Sequence, residues 1–203
     1  MPWQVLTHMG SASLLLPITV LMVLGFWVSG QRRLVWAWIP ALGVAAFLTL
    51  VSKLLYMGWG IGIARLNFTG VSGHALLASS VLPLLAGALC GTWLPRRAWW
   101  GAALGLCMAI GVAVSRVVVG AHSVSEVTIA WFMGLAVTLW AMQHLAAGLR
   151  PHGVVRLAPW VLLLALHTGS ATYLPSHSWE VRLALWLSGH SQPFERRDLL
   201  QNL

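Results

Sequence analysis

AWWGAALGLCMAIGVAVSRVVVGAHSVSE, residues 98–126, carries no charged side chain before Arg116. Its apolar part, residues 98–117, matches the roughly 20 residues that an α-helix needs to cross a hydrocarbon layer. The run is continuous, whereas the strand of a membrane barrel alternates over about ten residues. Working outward, residues 11–30, 34–57, 74–94, 123–148 and 156–174 read the same way, each bounded by Gly, Pro, Arg or a cluster of Trp. The expected fold is all-α: a polytopic membrane bundle of about six transmembrane helices over residues 1–175. A C-terminal tail, 176–203, follows. Within it residues 179–187 are expected to form a short interfacial helix, and the last residues to be mobile.

Composition agrees. Of 203 residues, 59% are hydrophobic and 8% charged, and mean hydropathy is +0.81. A soluble domain is about a quarter charged, and a disordered chain is poor in apolar residues, so both classes are excluded. The net charge is +8, but the Arg residues stand in small groups between apolar runs and form no basic stripe. They read as topology charges rather than as a nucleic-acid footprint. Arg32, Arg33, Arg96, Arg97, Arg150 and Arg156 fall in loops on one face, which the positive-inside rule assigns to the cytoplasm. The 58–73 loop, the 117–123 turn and the tail then face outward, towards a periplasm. The N-terminus lacks the features of a cleaved signal peptide, so the first run is expected to be a retained span. Trp residues near the run ends, Trp38 among them, read as interface anchors. Cys90 and Cys107 read as buried thiols.

Some polar residues are left unexplained by topology. Lys53 is the single lysine, and Glu126 the single acid before position 180. An ionisable group at membrane depth is costly and marks function. Glu126 follows His122 by four residues, so the two share a helix face. Arg116 precedes His122 by six residues, and Ser72-Gly73-His74 opens the third run. All map to the outward ends of helices. Phosphoryl transfer suits this set. Lys53, Arg116, Arg65 and the backbone of Ser72 and Gly73 at a helix N-terminus would hold phosphate oxygens. His122, its far nitrogen on the Glu126 carboxylate, would act as nucleophile or base. His74 would protonate the leaving oxygen.

Bland readings cover the remainder. Gly58, Gly60 and Gly62 are followed by no Lys-Ser/Thr and are expected to serve an irregular backbone or close packing. His167 reads as a packing residue. No spacing among His144, His152, His177 and His190 suggests zinc. Glu180 and Glu195, near Arg182 and Arg196, read as a solvated tail.

Ser72-Gly73-His74, then Ser115-Arg116 with His122 and Glu126 at their spacing, resemble the second and third signature motifs of the type 2 phosphatidic acid phosphatase (PAP2) superfamily. The resemblance covers residues 53–126 and extends to the multi-helix membrane layout. It implies that His122 attacks phosphorus to form a phosphohistidine, with Glu126 orienting it and His74 protonating the leaving group. It also implies that Lys53, Ser72, Gly73 and Arg116 hold the phosphoryl oxygens. Three departures stand out. Glu126 occupies the place of the usual Asp, and Val71 that of a Pro. In the first motif Lys53 and Arg65 are twelve positions apart, with Leu66 for its Pro.

The implied activity is a metal-independent lipid phosphatase in a bacterial inner membrane, with its site facing the periplasm. The substrates implied are undecaprenyl diphosphate, phosphatidate, phosphatidylglycerol phosphate or lipid A. No cofactor is expected, because Glu126 has no acidic neighbours with which to bind a divalent ion. The partners are the lipid phosphate and surrounding membrane lipids, with no nucleic acid. Two alternatives are a phosphotransferase using the same site, and an inactive lipid-phosphate binding or carrier protein.

Overall fold

A computed structural model describes residues 2–93, 97–144 and 176–200. The elements are α1 (Pro2–Met9), α2 (Ala12–Val28), α3 (Arg32–Trp59), a 3₁₀ turn (Ala64–Leu66), α4 (Gly73–Trp93), α5 (Ala98–Val118), α6 (Val124–Met142), α7 (Ser176–Ser188) and α8 (Arg196–Leu200). Among the described residues there is no β-strand, only an isolated bridge between Ile63 and Phe68. Among the described residues, five stretches are long and apolar enough to cross a membrane: Trp3–Val28, Arg32–Trp59, Gly73–Gly91, Ala98–Val118 and Val124–Met142. The protein is an all-α, polytopic membrane bundle. The expected sixth span, 156–174, lies outside the described residues, as do His152 and His167.

The first span begins earlier than its apolar run. Gln4, Thr7 and His8 dilute the pattern of α1, yet α1 and α2 continue one another across a break at Gly10 and Ser11. Thr7 is needed inside: its hydroxyl lies 2.9 Å from that of Ser115 and ties α1 to α5.

Lipid tails are as apolar as leucine, so hydrophobicity does not decide which face of a spanning helix turns inward. Packing and hydrogen bonding do. Small residues accordingly fill the interior: Ala75, Ala78, Ala88, Ala109, Ala130 and Ala141 are fully buried, while Phe47, Leu104 and Phe132 stand out towards lipid. The contact of α4 with α6 shows the logic. Pro83 has no N–H for the carbonyl one turn back, that of Ser79. Thr138 of α6 donates to this carbonyl at 2.8 Å, which supplies the bond that the bilayer could not. Gly134, one turn earlier, permits the approach, since a Cβ there would come within 1.9 Å of the Ser79 hydroxyl oxygen.

Two expectations about single residues are overturned. Trp38 is no interface anchor: it is fully buried, edge-on to Phe26 at 6.3 Å. Cys107 is exposed and Cys90 half-buried; a thiol is apolar enough to face hydrocarbon without cost.

The expected interfacial helix is present as α7, but it packs on the end of α3, where a Cβ at Gly58 would meet that of Ser188 at 3.2 Å. The chain beyond it is docked as well, as far as Leu199, while the last residues, 201–203, lie outside the described residues. Phe194 N–H donates to the Met57 carbonyl at 3.0 Å, Tyr56 O–H donates to the Glu195 carbonyl at 2.5 Å, and Leu199 is buried. Gly60, in the left-handed region at φ +69°, ends α3 and leaves room for the Phe194 ring, 3.1 Å from where a Cβ would be. At this end of the bundle the loops close on one another. Val71 N–H donates to the Ser52 hydroxyl, and the Ser125 hydroxyl to the Leu66 carbonyl.

Candidate active site

The site is built at the junction of α5 and α6. Helix α5 ends at Val118, and Gly120, at φ +72°, turns the chain. The N–H groups of Ala121 and His122 then return to the Arg116 carbonyl at 3.1 and 3.2 Å. This fold-back brings His122 beside Arg116. Helix α6 opens with a capping box: the Ser123 hydroxyl accepts the Glu126 N–H, and Ser123 N–H donates to Glu126 Oε2 at 3.0 Å. Satisfying the first helical turn therefore also aims the carboxylate.

That same oxygen, Oε2, lies 2.7 Å from His122 Nδ1. An ionised carboxylate only accepts, so Nδ1 carries the proton and Nε2 keeps its lone pair. Glu126 is completely buried. Its other oxygen accepts from Thr69 N–H at 2.7 Å and the Thr69 hydroxyl at 2.6 Å. Burial pushes the His122 pKa below its ordinary value. The hydrogen bond and charge of Glu126 pull the other way, and Lys53 and Arg116 add to the lowering.

His122 lines a cavity of about 500 Å³ together with Lys53, His74 and Arg116. Four sequence-identified residues from four different helix ends thus share one space, with Glu126 directly behind His122. The others are placed differently. Ser72 is fully buried and does not line the cavity; its hydroxyl accepts Ala75 N–H at 3.5 Å, at the head of α4. Gly73 starts α4, and a Cβ there would meet nothing within 4 Å. Arg65 is exposed on the 3₁₀ turn, outside the cavity lining.

The tail also enters the site, which corrects the reading of Glu180 and Arg196 as merely solvated. Lys53 Nζ donates to both oxygens of Glu180, at 2.8 and 3.0 Å. Arg196 donates to Glu126 Oε2 at 2.7 Å. Glu195 joins the cavity lining while its carboxylate pairs with Arg197 in the open. A charge among polar neighbours at a chain end looks solvated in sequence, and only docking of the segment takes it inward. Thr69 and Arg196 had no local signal. The Ser123-x-x-Glu126 cap did have one. Among the described residues, no three His, Cys, Asp or Glu side chains are grouped as a metal site would need.

Comparisons with known proteins bear on the family of the chain. The chain is 30% identical over 206 residues, covering 98% of both chains, to an uncharacterized 22.5 kDa protein in the cps region of Klebsiella pneumoniae. No solved structure matches. The PAP2 superfamily model matches residues 65–150, which include His74, Arg116, His122 and Glu126. This membrane protein, with its histidines and cations gathered in one cavity, belongs to the PAP2 superfamily of phosphatases.

Proposed function

We propose that the protein hydrolyses a membrane lipid phosphate or diphosphate through a phosphohistidine on His122. The observation that carries this reading is the His122 Nδ1–Glu126 contact of 2.7 Å behind a cavity shared with Lys53, Arg116 and His74. Lys53 and Arg116, both in the cavity lining, neutralise the phosphoryl oxygens. His122 Nε2 gives its lone pair to phosphorus. The bond from phosphorus to the leaving oxygen breaks, and that oxygen takes a proton from His74, which is protonated as the phosphate's negative charge arrives. Water then attacks phosphorus, its proton passes to the now neutral His74, and the N–P electron pair returns to Nε2.

An amphipathic substrate fits a cavity that holds Lys53 and Arg116 beside Met57 and Phe194, at the end of a bundle whose sides face lipid. Undecaprenyl diphosphate, phosphatidate, phosphatidylglycerol phosphate and lipid A are the candidate classes. Arg32, Arg33 and Arg97 lie at the opposite helix ends, which supports a site on the outer side of the inner membrane.

The test is phosphate release from these lipids by purified protein, with chelator present. Wild type is expected to turn over at least one of them, and His122→Ala to lose activity by at least ~10³-fold. Denaturing quench with radiolabelled substrate should trap an alkali-stable, acid-labile label on wild type and none on His122→Ala. Turnover by His122→Ala at the wild-type rate would end this reading. Adding an acceptor lipid separates hydrolysis from transfer, since a transferase would divert phosphate from release.

A further inference from the structure

Glu126 bears its carboxylate in full burial, where an uncompensated charge is costly. Besides His122, Thr69 and Ser123, part of the compensation comes from the far end of the chain. Residues 194–199 are anchored on α3 independently of Arg196, through the Phe194–Met57 and Tyr56–Glu195 hydrogen bonds and buried Leu199. Glu195 N–H donates to Asp198 Oδ2 at 2.7 Å at the entry to α8. This anchoring aims the Arg196 guanidinium at the loop before α4. One terminal nitrogen donates to Asn67, to Oδ1 at 3.0 Å and to the carbonyl at 3.2 Å. The other donates to the Thr69 hydroxyl at 3.2 Å and to Glu126 Oε2 at 2.7 Å. Asn67 holds a left-handed backbone, φ +48°, which turns its carbonyl and amide oxygen to the same guanidinium edge.

A guanidinium has five N–H donors, and these contacts use the four terminal ones on protein acceptors. The arrangement is that of a clamp on a carboxylate rather than of a phosphate ligand with donors to spare. It also answers the extra methylene of glutamate at this position. A longer side chain has one more torsion with which to miss His122, and a fixed fork on Oε2 removes that freedom.

We propose that Arg196 is a positioning residue for phosphoryl transfer, holding the Glu126 carboxylate against His122 Nδ1 through a fork braced on Asn67 and Thr69. The inference rests on the reading of His122 as nucleophile. Arg196 acts through Glu126, so its removal spoils alignment in the chemical step and leaves phosphate binding by Lys53 and Arg116 in place.

The experiment uses the full-length protein in detergent, with the lipid of the panel that wild type turns over fastest. Arg196→Gln is expected to lower kcat roughly 10- to 100-fold, the usual effect of a misaligned reacting group, with KM changed by less than about twofold. Arg196→Lys restores part of that loss, because it keeps the cation without the fork. In a Glu126→Gln background, Arg196→Gln costs less than about threefold further, since both changes remove one contact. Should Arg196→Gln fail to fold, Arg196→Lys and Asn67→Gly carry the test, Gly keeping the left-handed backbone. Lowered kcat at constant KM in these supports the proposal, and wild-type kcat in both overturns it. A loss expressed in KM, or one fully additive with Glu126→Gln, also overturns it and points to a direct phosphate contact. Inactive wild type, or an active His122→Ala, defeats the phosphohistidine reading itself. Active wild type, dead His122→Ala and unimpaired Arg196→Gln defeat this inference alone.

Discussion

At His122 two influences oppose each other. Burial disfavours the imidazolium, and the Glu126 carboxylate favours it; burial is the larger, with Lys53 and Arg116 on its side. A nucleophilic Nε2 must be unprotonated, so activity is lost as pH falls through the pKa of this group. Because that pKa lies below its ordinary 6.5, the acidic limb of the kcat/KM profile is expected to have its midpoint below 6.5. A pH–rate profile with its acidic midpoint above the ordinary value contradicts the assignment. Glu126→Asp makes a second residue-scale test. Ser123, Thr69 and Arg196 donate around a carboxylate set one methylene further out than that of aspartate. The shorter acid, although usual in the family that the motifs resemble, is therefore expected to lower kcat by roughly 10- to 100-fold. Equal or faster turnover by Glu126→Asp means that the donors follow the carboxylate rather than fix it. The pairing of His122 with Glu126 was legible because four residues make one helical turn. Thr69 and Arg196 lie 57 and 70 positions away from Glu126, beyond the reach of any local pattern.

Among the elements, α4 and α6 are joined through the carbonyl that Pro83 leaves free. Thr138→Val keeps shape and removes the donor to Ser79. It is expected to destabilise the bundle by about 1 kcal/mol, read as a lower thermal unfolding midpoint in detergent; an unchanged midpoint means that the carbonyl finds another donor. Helix α7 acts on the site itself. Glu180 holds Lys53 with side-chain exposure of 18% on each, so an arriving phosphate must displace a carboxylate. Glu180→Gln is expected to lower KM about three- to tenfold, in line with an ion pair on the order of 1 kcal/mol, with kcat nearly unchanged. A KM that rises in this variant shows that Glu180 helps bind the substrate instead. The length of the apolar runs revealed the five described spanning helices, and residues 179–187 read as a short helix that α7 contains. What they did not reveal was that α7 lies on α3, because its docking depends on Gly58 making room for Ala184 and Ser188.

For the whole molecule, the charge pattern and the site make one connected claim about sidedness. Arg32, Arg33 and Arg97 sit at the helix ends opposite the cavity. In a background with Cys90 and Cys107 replaced by alanine, Arg65→Cys on the exposed 3₁₀ turn is expected to react with a membrane-impermeant thiol reagent in intact spheroplasts. Labelling only after lysis reverses the orientation and puts the cavity on the cytoplasmic side. The class of the molecule, its membrane setting and the ordered set of Lys53, His74, Arg116, His122 and Glu126 are all matters of local composition and spacing, and the sequence by itself determined them. The tertiary structure alone decided that Arg65 stays outside, that Ser72 is buried behind the cavity, and that Glu180 and Arg196 return from the tail to hold Lys53 and Glu126. The physical reason is that an ion pair between distant residues is written in no stretch of chain. It exists only once packing at glycine-lined contacts has brought the C-terminal segment onto α3.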